Sequence, residues 1–376
     1  MTTALSSANL ITMKKALLVL FLFSLTAATF AADAPKEVRG AWVNAWGMGL
    51  RSKSQIADVI GKAKTANLNT LFVQVRRRGD SLYYSSLVPR CPVVPTGFDP
   101  LAEAIRQGHE AGIEIHAWLP LFPAWSNQAG KPPEGHVLLD HPEWITWGSN
   151  GRQMSLADGA EGVFLDPGVP EARAHLIAVA REIATRYPLL DGIHLDYVRY
   201  PSSKWGYHPE AVRRFREETG STPTGNPTAF STWRRNQVTS LVREIAAEVR
   251  DANKDLKVSA SVFADRADAV NHRLQNWPAW LSGDDALDFV VAMNYATKDE
   301  TFNKRMAECL RVHPDKVMIG IGSYNKSTPA SIKQVRSAQA ARAKGVVLYD
   351  TGSSPVALWK ELGKGLFKKA TATAAP

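Results

Sequence analysis

The chain has 376 residues, 45% of them hydrophobic and 22% charged, which is enough for one large domain or two of ordinary size. This composition excludes a globally disordered chain, because it supplies enough apolar surface to form a core. The formal net charge of +9 suits anionic partners or plain solubility. No basic run with interleaved aromatic residues is present, and no Cys/His cluster has metal-ligand spacing. We therefore expect neither nucleic-acid binding nor a metal or other cofactor.

The first 31 residues have the organisation of a secretory signal peptide. Lys14 and Lys15 form a basic head, residues 16–28 are almost wholly apolar, and Ala31 closes a cleavage site. The apolar run is too short to span a bilayer comfortably, and no second apolar run follows. We expect a periplasmic or secreted protein without stable membrane insertion. Loss of the two lysines lowers the net charge from +9 to +7, which still favours anionic wall polymers or acidic glycans as partners.

From residue 38 onward, strand and helix patterns alternate with little interruption. Period-two alternation predicts eight strands, at residues 38–46, 70–76, 113–121, 191–201, 257–264, 288–296, 316–324 and 345–350. Helical spacing predicts helices at residues 54–66, 100–111, 170–187, 209–219, 231–251, 277–287, 299–312, 329–343 and 355–367. Residues 122–165 are expected to be an irregular excursion, residues 219–229 a linker and residues 369–376 a disordered tail.

Eight strands that are each followed by a helix predict an α/β fold, a (β/α)8 TIM barrel with long loops after strands three and four. An open doubly wound sheet has the same alternation, but its phosphate-binding glycine fingerprint is absent near the start. No linker divides residues 32–368 into separate domains, since the one at 219–229 only joins two helices, so we expect a single domain. Cys91 lies in a loop and Cys309 in an outer helix, so a disulfide between them is permitted in an oxidising compartment but is not expected.

Residues 191–201, Asp-Gly-Ile-His-Leu-Asp-Tyr-Val-Arg-Tyr-Pro, are the segment around which the site is expected. Ile193 and Leu195 alternate with His194 and Asp196, as the two faces of a strand do. Asp196 therefore lies at the end of a buried strand, where an ionised group costs free energy unless it is ion-paired or serves a function. The alternative for a single aspartate of this kind is a structural role, as a helix cap or an ion-pair partner.

Polar and aromatic residues also collect at the carboxyl ends of the other predicted strands, where barrel enzymes build their sites. Each one alone is more often structural, but their joint occurrence at one rim favours sugar binding. Carboxyl groups bind sugar hydroxyl groups and can protonate the glycosidic oxygen, and aromatic faces stack on pyranose rings. The candidate substrate-binding residues are Trp46, Gln74, Arg76, Asp80, Tyr84, His116, Trp118, His194, Tyr197, Arg199, Asn294, Tyr295 and Asp350.

Glycosidic hydrolysis usually needs two carboxyl groups, a protonated donor and a nucleophile or base. Asp196 is predicted to be catalytic, as general acid or nucleophile. Asp265 is the first choice for its catalytic partner because it closes strand five, which neighbours strand four in a barrel; Asp350 and Asp80 are the next choices.

Large aromatic residues in the two long loops are either walls of sugar subsites or pins that hold the loops on the barrel. They are Trp125, Trp144, Trp147, Trp205 and Tyr207. Trp277 and Trp280, which precede strand six, are instead expected in the core.

Taken in order, several of these motifs resemble the glycosyl-hydrolase-like 10 family of bacterial envelope proteins, over nearly the whole mature chain. The resemblance is carried by residues 39–43, 74–76, 79–80, 83–84, 116–118, 165–168, 191–201 and 293–295. It implies an (α/β)8 barrel glycosidase. One branch of that family cleaves peptidoglycan glycan strands stripped of their stem peptides, whose lactyl carboxylates match the basic charge of this chain.

Residues 191–196 and 293–295 also resemble the strand-four and strand-six motifs of chitinase-type barrels. The position of the chitinase catalytic glutamate is Val198 here, which argues against transferring their substrate-assisted mechanism to this chain. An N-acetyl group held by Asn294 or Tyr295 remains open.

The sequence therefore predicts an exported glycoside hydrolase that acts on a cell-wall glycan, an anionic polymer such as peptidoglycan strands lacking stem peptides. The alternatives are a non-catalytic glycan-binding barrel of the envelope and a glycosidase acting on another exported polysaccharide.

Overall fold

Eight parallel strands close into a barrel in a computed structural model that describes residues 37–126, 130–159 and 161–368. Each strand pairs with its neighbours in chain order, and the first closes the barrel on the eighth through Val38 and Gly345. Strands one to eight are Val38–Val43, Thr70–Gln74, Glu114–Pro120, Gly192–Asp196, Lys257–Phe263, Phe289–Asn294, Val317–Gly322 and Gly345–Tyr349. The predicted α/β barrel is confirmed. The predicted signal peptide and the predicted tail lie outside the described residues.

The barrel strands alternate with helices that pack around the outside of the barrel. The helices are Lys53–Thr65, Pro100–Glu110, Val137–Asp140, Pro170–Arg186, Pro209–Thr219, Pro227–Ala252, Asp299–Leu310, Thr328–Ala340 and Val356–Lys364. Two short strands in the loop after strand three, Pro123–Trp125 and Val163–Phe164, pair antiparallel and form a small hairpin. Among the described residues, no helix has both the length and the apolar content needed to cross a membrane.

Two element boundaries differ from the prediction for local reasons. The helix expected to begin at residue 231 begins at Pro227, because the Asn226 side chain caps it by accepting the N–H of Ala229 at 3.0 Å. The helix expected over 277–287 is only a single 3₁₀ turn, Trp277–Trp280. Gly283 and Asp285 both have positive φ, which a continuing α-helix cannot accommodate.

Period-two alternation divides each strand between the barrel interior and the helical layer. Inside the barrel, Trp42, Phe72, Trp118 and Phe289 form one apolar cluster, whereas the intervening residues of the same strands pack against the helices. Burial of each large interior side chain contributes about 2 kcal/mol to stability. The fully packed interior makes the barrel a rigid support for side chains at its carboxyl end.

Candidate active site

Strand four places Asp196 at the carboxyl end of the barrel. Ile193 and Leu195 pack into the helical layer, so the side chains of His194 and Asp196 face the barrel interior. Gly192 begins this interior row, and a Cβ there would lie 2.4 Å from Nδ1 of His116. The glycine is therefore needed for strand four to pair closely with strand three.

Asp196 lies in a cleft of about 590 Å³ at the carboxyl end of the barrel. The cleft combines carboxylates, guanidinium groups and aromatic rings, a mixture suited to a polar, ring-shaped ligand such as a sugar. Its lining residues are Trp118, Glu161, Asp196, Tyr197, Arg199, Phe263, Ala264, Asp265, Asp268, Met293, Tyr295, Ala296, Arg305 and Tyr349.

Asp196 is only 5% exposed, and its carboxyl group is held by two donors. Nε1–H of Trp118 donates to Oδ2 at 2.9 Å, and the backbone N–H of Tyr197 donates to Oδ1 at 2.7 Å. Burial raises the pKa of Asp196 to about 6, against the opposing effects of these donors and of the nearby Arg199 and Arg78. A carboxylic acid with this pKa is suited to donate a proton near neutral pH.

Tyr197 directly follows strand four, and its backbone is in the left-handed region, with φ of 52°. A tyrosine in this region is under backbone strain of the order of 1 kcal/mol. The conformation places the Tyr197 N–H against Oδ1 of Asp196 and turns the following residues out of the strand. The strained residue therefore fixes the position of the carboxyl group that it follows.

Three other carboxylates in the cleft are each paired with an arginine. Glu161 accepts a bidentate pair from Arg199, with N···O distances of 2.7 and 3.2 Å. The other two pairs are Asp265 with Arg305 at 3.1 Å and Asp268 with Arg273 at 3.2 Å. The backbone N–H of Asp268 and the Arg305 charge hold the pKa of Asp265 below its usual value. The cleft thus contains one buried acid among ion-paired carboxylates.

Cations and aromatic rings alternate across the same end of the barrel. The Arg78 guanidinium lies between the rings of Trp46 and Tyr197, at 5.4 and 5.1 Å from their centroids. The Arg199 guanidinium lies between Tyr197 and Phe263, at 4.9 and 5.0 Å. These contacts stabilise the positions of both arginines near Asp196.

The structure brings six of the predicted site residues together at the cleft and places the other nine elsewhere. The six are Trp118, Asp196, Tyr197, Arg199, Asp265 and Tyr295. The remaining nine are Trp46, Gln74, Arg76, Asp80, Tyr84, His116, His194, Asn294 and Asp350.

Gln74, Arg76 and Asp80, which were expected to bind substrate, are buried and do not line this cleft. Arg76 donates through Nη1 to the backbone carbonyls of Pro120 and Leu121, at 2.7 and 2.9 Å. Gln74 accepts the N–H of Ala45 at 2.9 Å and donates to the carbonyl of Arg76. Asp80 pairs with the Arg77 guanidinium at 3.0 Å and is completely buried. These groups hold the backbone at the ends of strands one, two and three.

The two interior histidines are likewise packed inside the barrel. His194 is fully buried, and its ring nitrogens contact the hydroxyl groups of Ser259 and Ser261, both at 2.8 Å. Burial lowers the pKa of His194 well below its ordinary value, so the ring is neutral. His116 is also buried and packs against the ring of Phe72, with centroids 5.1 Å apart. Neither histidine reaches the cleft.

Asn294 and Asp350 are buried on the helical side of their strands. Asn294 donates to the carbonyl of Phe302 in the outer helix at 2.8 Å. Asp350 accepts the backbone N–H groups of Gly352 and Ser353 and closes that turn, while Asn44 donates to its other oxygen. Of the two residues considered for an N-acetyl group, only Tyr295 lines the cleft.

The last two predicted residues lie beside the cleft or on the surface. Trp46 is half-buried and packs on Arg77 and Arg78. Tyr84 is exposed, with the Arg90 guanidinium 5.0 Å from its ring centroid. Neither ring lines the cleft that contains Asp196.

The aromatic residues of the two long loops do not line this cleft. Trp125 and Trp205 are buried, Trp144 stacks on His141 at 3.8 Å, and Trp147 and Tyr207 are half-buried. Trp277 and Trp280 are completely buried, as predicted for core residues. Cys91 and Cys309 are buried free thiols.

Glu161 is one of the residues at the cleft that sequence reasoning missed, together with Asp268, Arg305 and Tyr349. It lies in the loop after strand three, directly before Gly162 and the second strand of the hairpin. Gly162 has φ of 89°, and a Cβ there would lie 1.8 Å from the carbonyl oxygen of Trp125. The Glu161-Gly162 pair before a short apolar run was the signal available in the sequence. Across residues 37–126, 130–159 and 161–368, no cluster of three or more His, Cys, Asp or Glu could hold a metal ion.

Comparison with known proteins gives a consistent result. Residues 37–338 match the family described as glycosyl hydrolase-like 10. The chain is 25% identical over 272 residues to glycosyl hydrolase YngK of Bacillus subtilis (strain 168), covering 65% of this chain and 50% of that protein. It is 22% identical over 315 residues to glycosyl hydrolase DigH of Escherichia coli (strain K12), covering 73% of this chain and 67% of that protein. The chain thus spans about half the length of the first relative.

Solved structures with the same fold include the catalytic domain of β-amylase from Paenibacillus polymyxa. That structure superposes with a TM-score of 0.60 at 12% sequence identity and covers 89% of this chain and 100% of that domain. At this level of identity the similarity shows the barrel fold alone.

Proposed function

Since the chain belongs to the glycosyl hydrolase-like 10 family, we propose that it is an exported glycoside hydrolase that cleaves a cell-wall glycan. The single observation that carries the reaction type is Asp196. It is a buried carboxylic acid at the end of strand four, facing a cleft, with a pKa raised to about 6. A group of this kind protonates the glycosidic oxygen as the bond to the sugar carbon breaks.

The geometry of Asp196 suits an acid whose proton is already in place. Trp118 and the Tyr197 N–H fix both carboxyl oxygens, so little reorganisation is needed when the proton leaves. The two donors and the charge of Arg199 then stabilise the carboxylate that forms. Trp118, Tyr295 and Tyr349 offer aromatic faces to the sugar ring.

The proposed substrate is a peptidoglycan glycan strand that lacks stem peptides. Such strands expose lactyl carboxylates, which suit the net positive charge of the chain. The predicted signal peptide supports export to the compartment in which this polymer occurs. Both relatives named above are glycosyl hydrolases, which supports the reaction type without specifying this chain's substrate.

A non-catalytic glycan-binding barrel is the second candidate function. It is favoured by the ion pairing of Glu161, Asp265 and Asp268, each of which already has an arginine partner. A binding barrel would retain glycan without releasing reducing ends.

The test compares the wild type with Asp196→Asn on three substrates: amidase-treated sacculi, intact sacculi and an unrelated exported polysaccharide. Mass spectrometry detects released glycan fragments, and co-sedimentation measures binding. We expect fragments from amidase-treated sacculi with the wild type only, and retained binding with the variant. Binding without release of fragments from any substrate would leave the binding barrel as the function.

A further inference from the structure

We infer that Glu161, carried by the hairpin loop after strand three, supplies the second carboxylate of the reaction, in place of Asp265. This inference rests on the proposed hydrolase function, because it assigns a role within the same cleft.

The hairpin that carries Glu161 packs directly on the strand-four end. The ring of Phe164 in this hairpin lies 6.3 Å from that of Tyr197, the residue next to Asp196. The Arg199 guanidinium, 6.0 Å from the Phe164 ring, binds both oxygens of Glu161. Arg199 thus binds Glu161 directly and interacts electrostatically with Asp196, whose Oδ1 is held by the backbone N–H of Tyr197.

The pKa of Glu161 is moved in the opposite direction to that of Asp196. Burial by itself raises the pKa of Glu161, but Arg199, Arg273 and Arg78 outweigh it and hold the pKa below the usual value. The Glu161 side chain remains 40% exposed, so its unbonded lone pairs are accessible from the cleft. In a catalytic pair of carboxyl groups, the environment raises the pKa of the proton donor and lowers the pKa of its ionised partner. The pKa values of Asp196 and Glu161 are shifted apart in this way.

Asp265 has a weaker case despite lining the same cleft. One of its oxygens accepts the N–H of Asp268 at 3.1 Å, and the other binds Arg305, a residue of the outer helix Asp299–Leu310. Its carboxylate is bound by a residue of that helix. No contact joins Asp265 to Tyr197 or Arg199 among the interactions of the described residues, so it lacks the shared framework that connects Glu161 to Asp196.

The proposed step conserves charge around Arg199. Asp196 gives its proton to the glycosidic oxygen as the bond from that oxygen to C1 breaks. Glu161 either takes a proton from the water whose oxygen bonds to C1, or bonds to C1 itself. In the second route a water later bonds to C1 and gives its proton to the Asp196 carboxylate, as the bond from C1 to Glu161 breaks. In both routes one carboxyl group becomes neutral as the other becomes ionised. Arg199 interacts electrostatically with both groups, so it keeps an anion beside it throughout.

The test uses Glu161→Ala and Asp265→Ala on the substrate that the wild type cleaves, each with and without sodium azide. Removing Glu161 leaves the Arg199 cation without its partner, and a small anion can occupy that place. Azide then bonds to C1 as the C1–O bond breaks, while Asp196 still protonates the leaving oxygen. Glu143→Gln, which changes an exposed glutamate in the same long loop, is the matched control.

We expect Glu161→Ala to lose at least 100-fold in kcat and to regain activity with azide, with a glycosyl azide as product. The loss of kcat in Asp265→Ala should be at least tenfold smaller than in Glu161→Ala, and azide should not restore it. Glu143→Gln should have the kcat of the wild type. Glu161→Gln removes the negative charge but keeps the size of the side chain. Together with melting curves of each variant, it distinguishes loss of the chemical step from loss of folding. Azide rescue of Asp265→Ala together with an active Glu161→Gln would overturn the inference while leaving the hydrolase function intact. A wild type that cleaves no glycan would instead remove the proposed function.

Discussion

Nε1–H of Trp118 donates to Oδ2 of Asp196 at 2.9 Å, so the acid at the end of strand four takes one of its donors from the end of strand three. The two strands pair in register, with Trp118 beside His194 and Pro120 beside Asp196. The indole therefore reaches the carboxyl group because of the barrel register, and it favours the ionised form of Asp196.

Trp118→Phe should move the alkaline limb of the kcat/KM pH profile to higher pH. Loss of the indole donor removes a hydrogen bond to the carboxylate, so the pKa of Asp196 rises further and the acid stays protonated to higher pH. Trp42→Phe is the matched control, because Trp42 lies in the same interior cluster but makes no contact with Asp196. An unchanged limb in Trp118→Phe would show that this donor does not set the protonation of the acid.

Gly162→Ala should reduce activity far more than a glycine change elsewhere in the same loop. A methyl group at residue 162 would lie 1.8 Å from the carbonyl oxygen of Trp125 and would displace the hairpin that carries Glu161. Gly151→Ala is the control: Gly151 also has positive φ, but a Cβ there meets nothing within 4 Å. It should cost only about 1 kcal/mol of stability from backbone strain. Equal kcat values for the two variants, measured beside their melting temperatures, would refute this role for the hairpin.

The buried histidine of strand four should make the protein less stable in mild acid. Because the folded-state pKa of His194 lies well below that of the unfolded chain, unfolding takes up a proton below about pH 6.5. Its contribution to stability is complete above that pH and declines by about 1.4 kcal/mol per pH unit below it.

Urea unfolding of His194→Gln at pH 7.5, 6.0 and 5.0 should therefore show a shallower loss of unfolding free energy than the wild type. His272→Gln, at an exposed position, should follow the wild-type slope. Parallel curves for wild type and His194→Gln would mean that His194 takes up a proton in the folded barrel.

The fold and the position of Asp196 at a strand end could be predicted from the sequence because both depend on local patterns. Period-two alternation predicts that His194 and Asp196 face the barrel interior, whereas Ile193 and Leu195 face the helices. Because Asp196 is the last residue of its strand, it is expected at the carboxyl end of the barrel. The same alternation distinguishes Asn294 from Tyr295, because neighbouring residues of a strand face opposite sides of the sheet. Asn294 is one position out of phase with the interior row and therefore contacts the outer helix at Phe302.

Residues beyond the strand ends could not be placed in this way. Arg76 and Asp80 follow strand two, where both are buried: Nη1 of Arg76 binds backbone carbonyl groups and Asp80 pairs with Arg77. Glu161 is separated from strand three by a long loop, and its position depends on pairing between residues 123–125 and 163–164. Such pairing depends on the tertiary structure, and hydrophobic periodicity in the sequence does not indicate it.

The most direct test of the account is the pH dependence of kcat/KM for glycan release by the wild type. If Asp196 acts as the proton donor, it must be protonated in the free enzyme, so the rate should fall about tenfold per pH unit above an apparent pKa of about 6. The fall should reflect titration of Asp196 and be absent from any residual activity of Asp196→Asn. A rate that stays level or rises between pH 6 and pH 8 would contradict the assignment of Asp196 as the general acid.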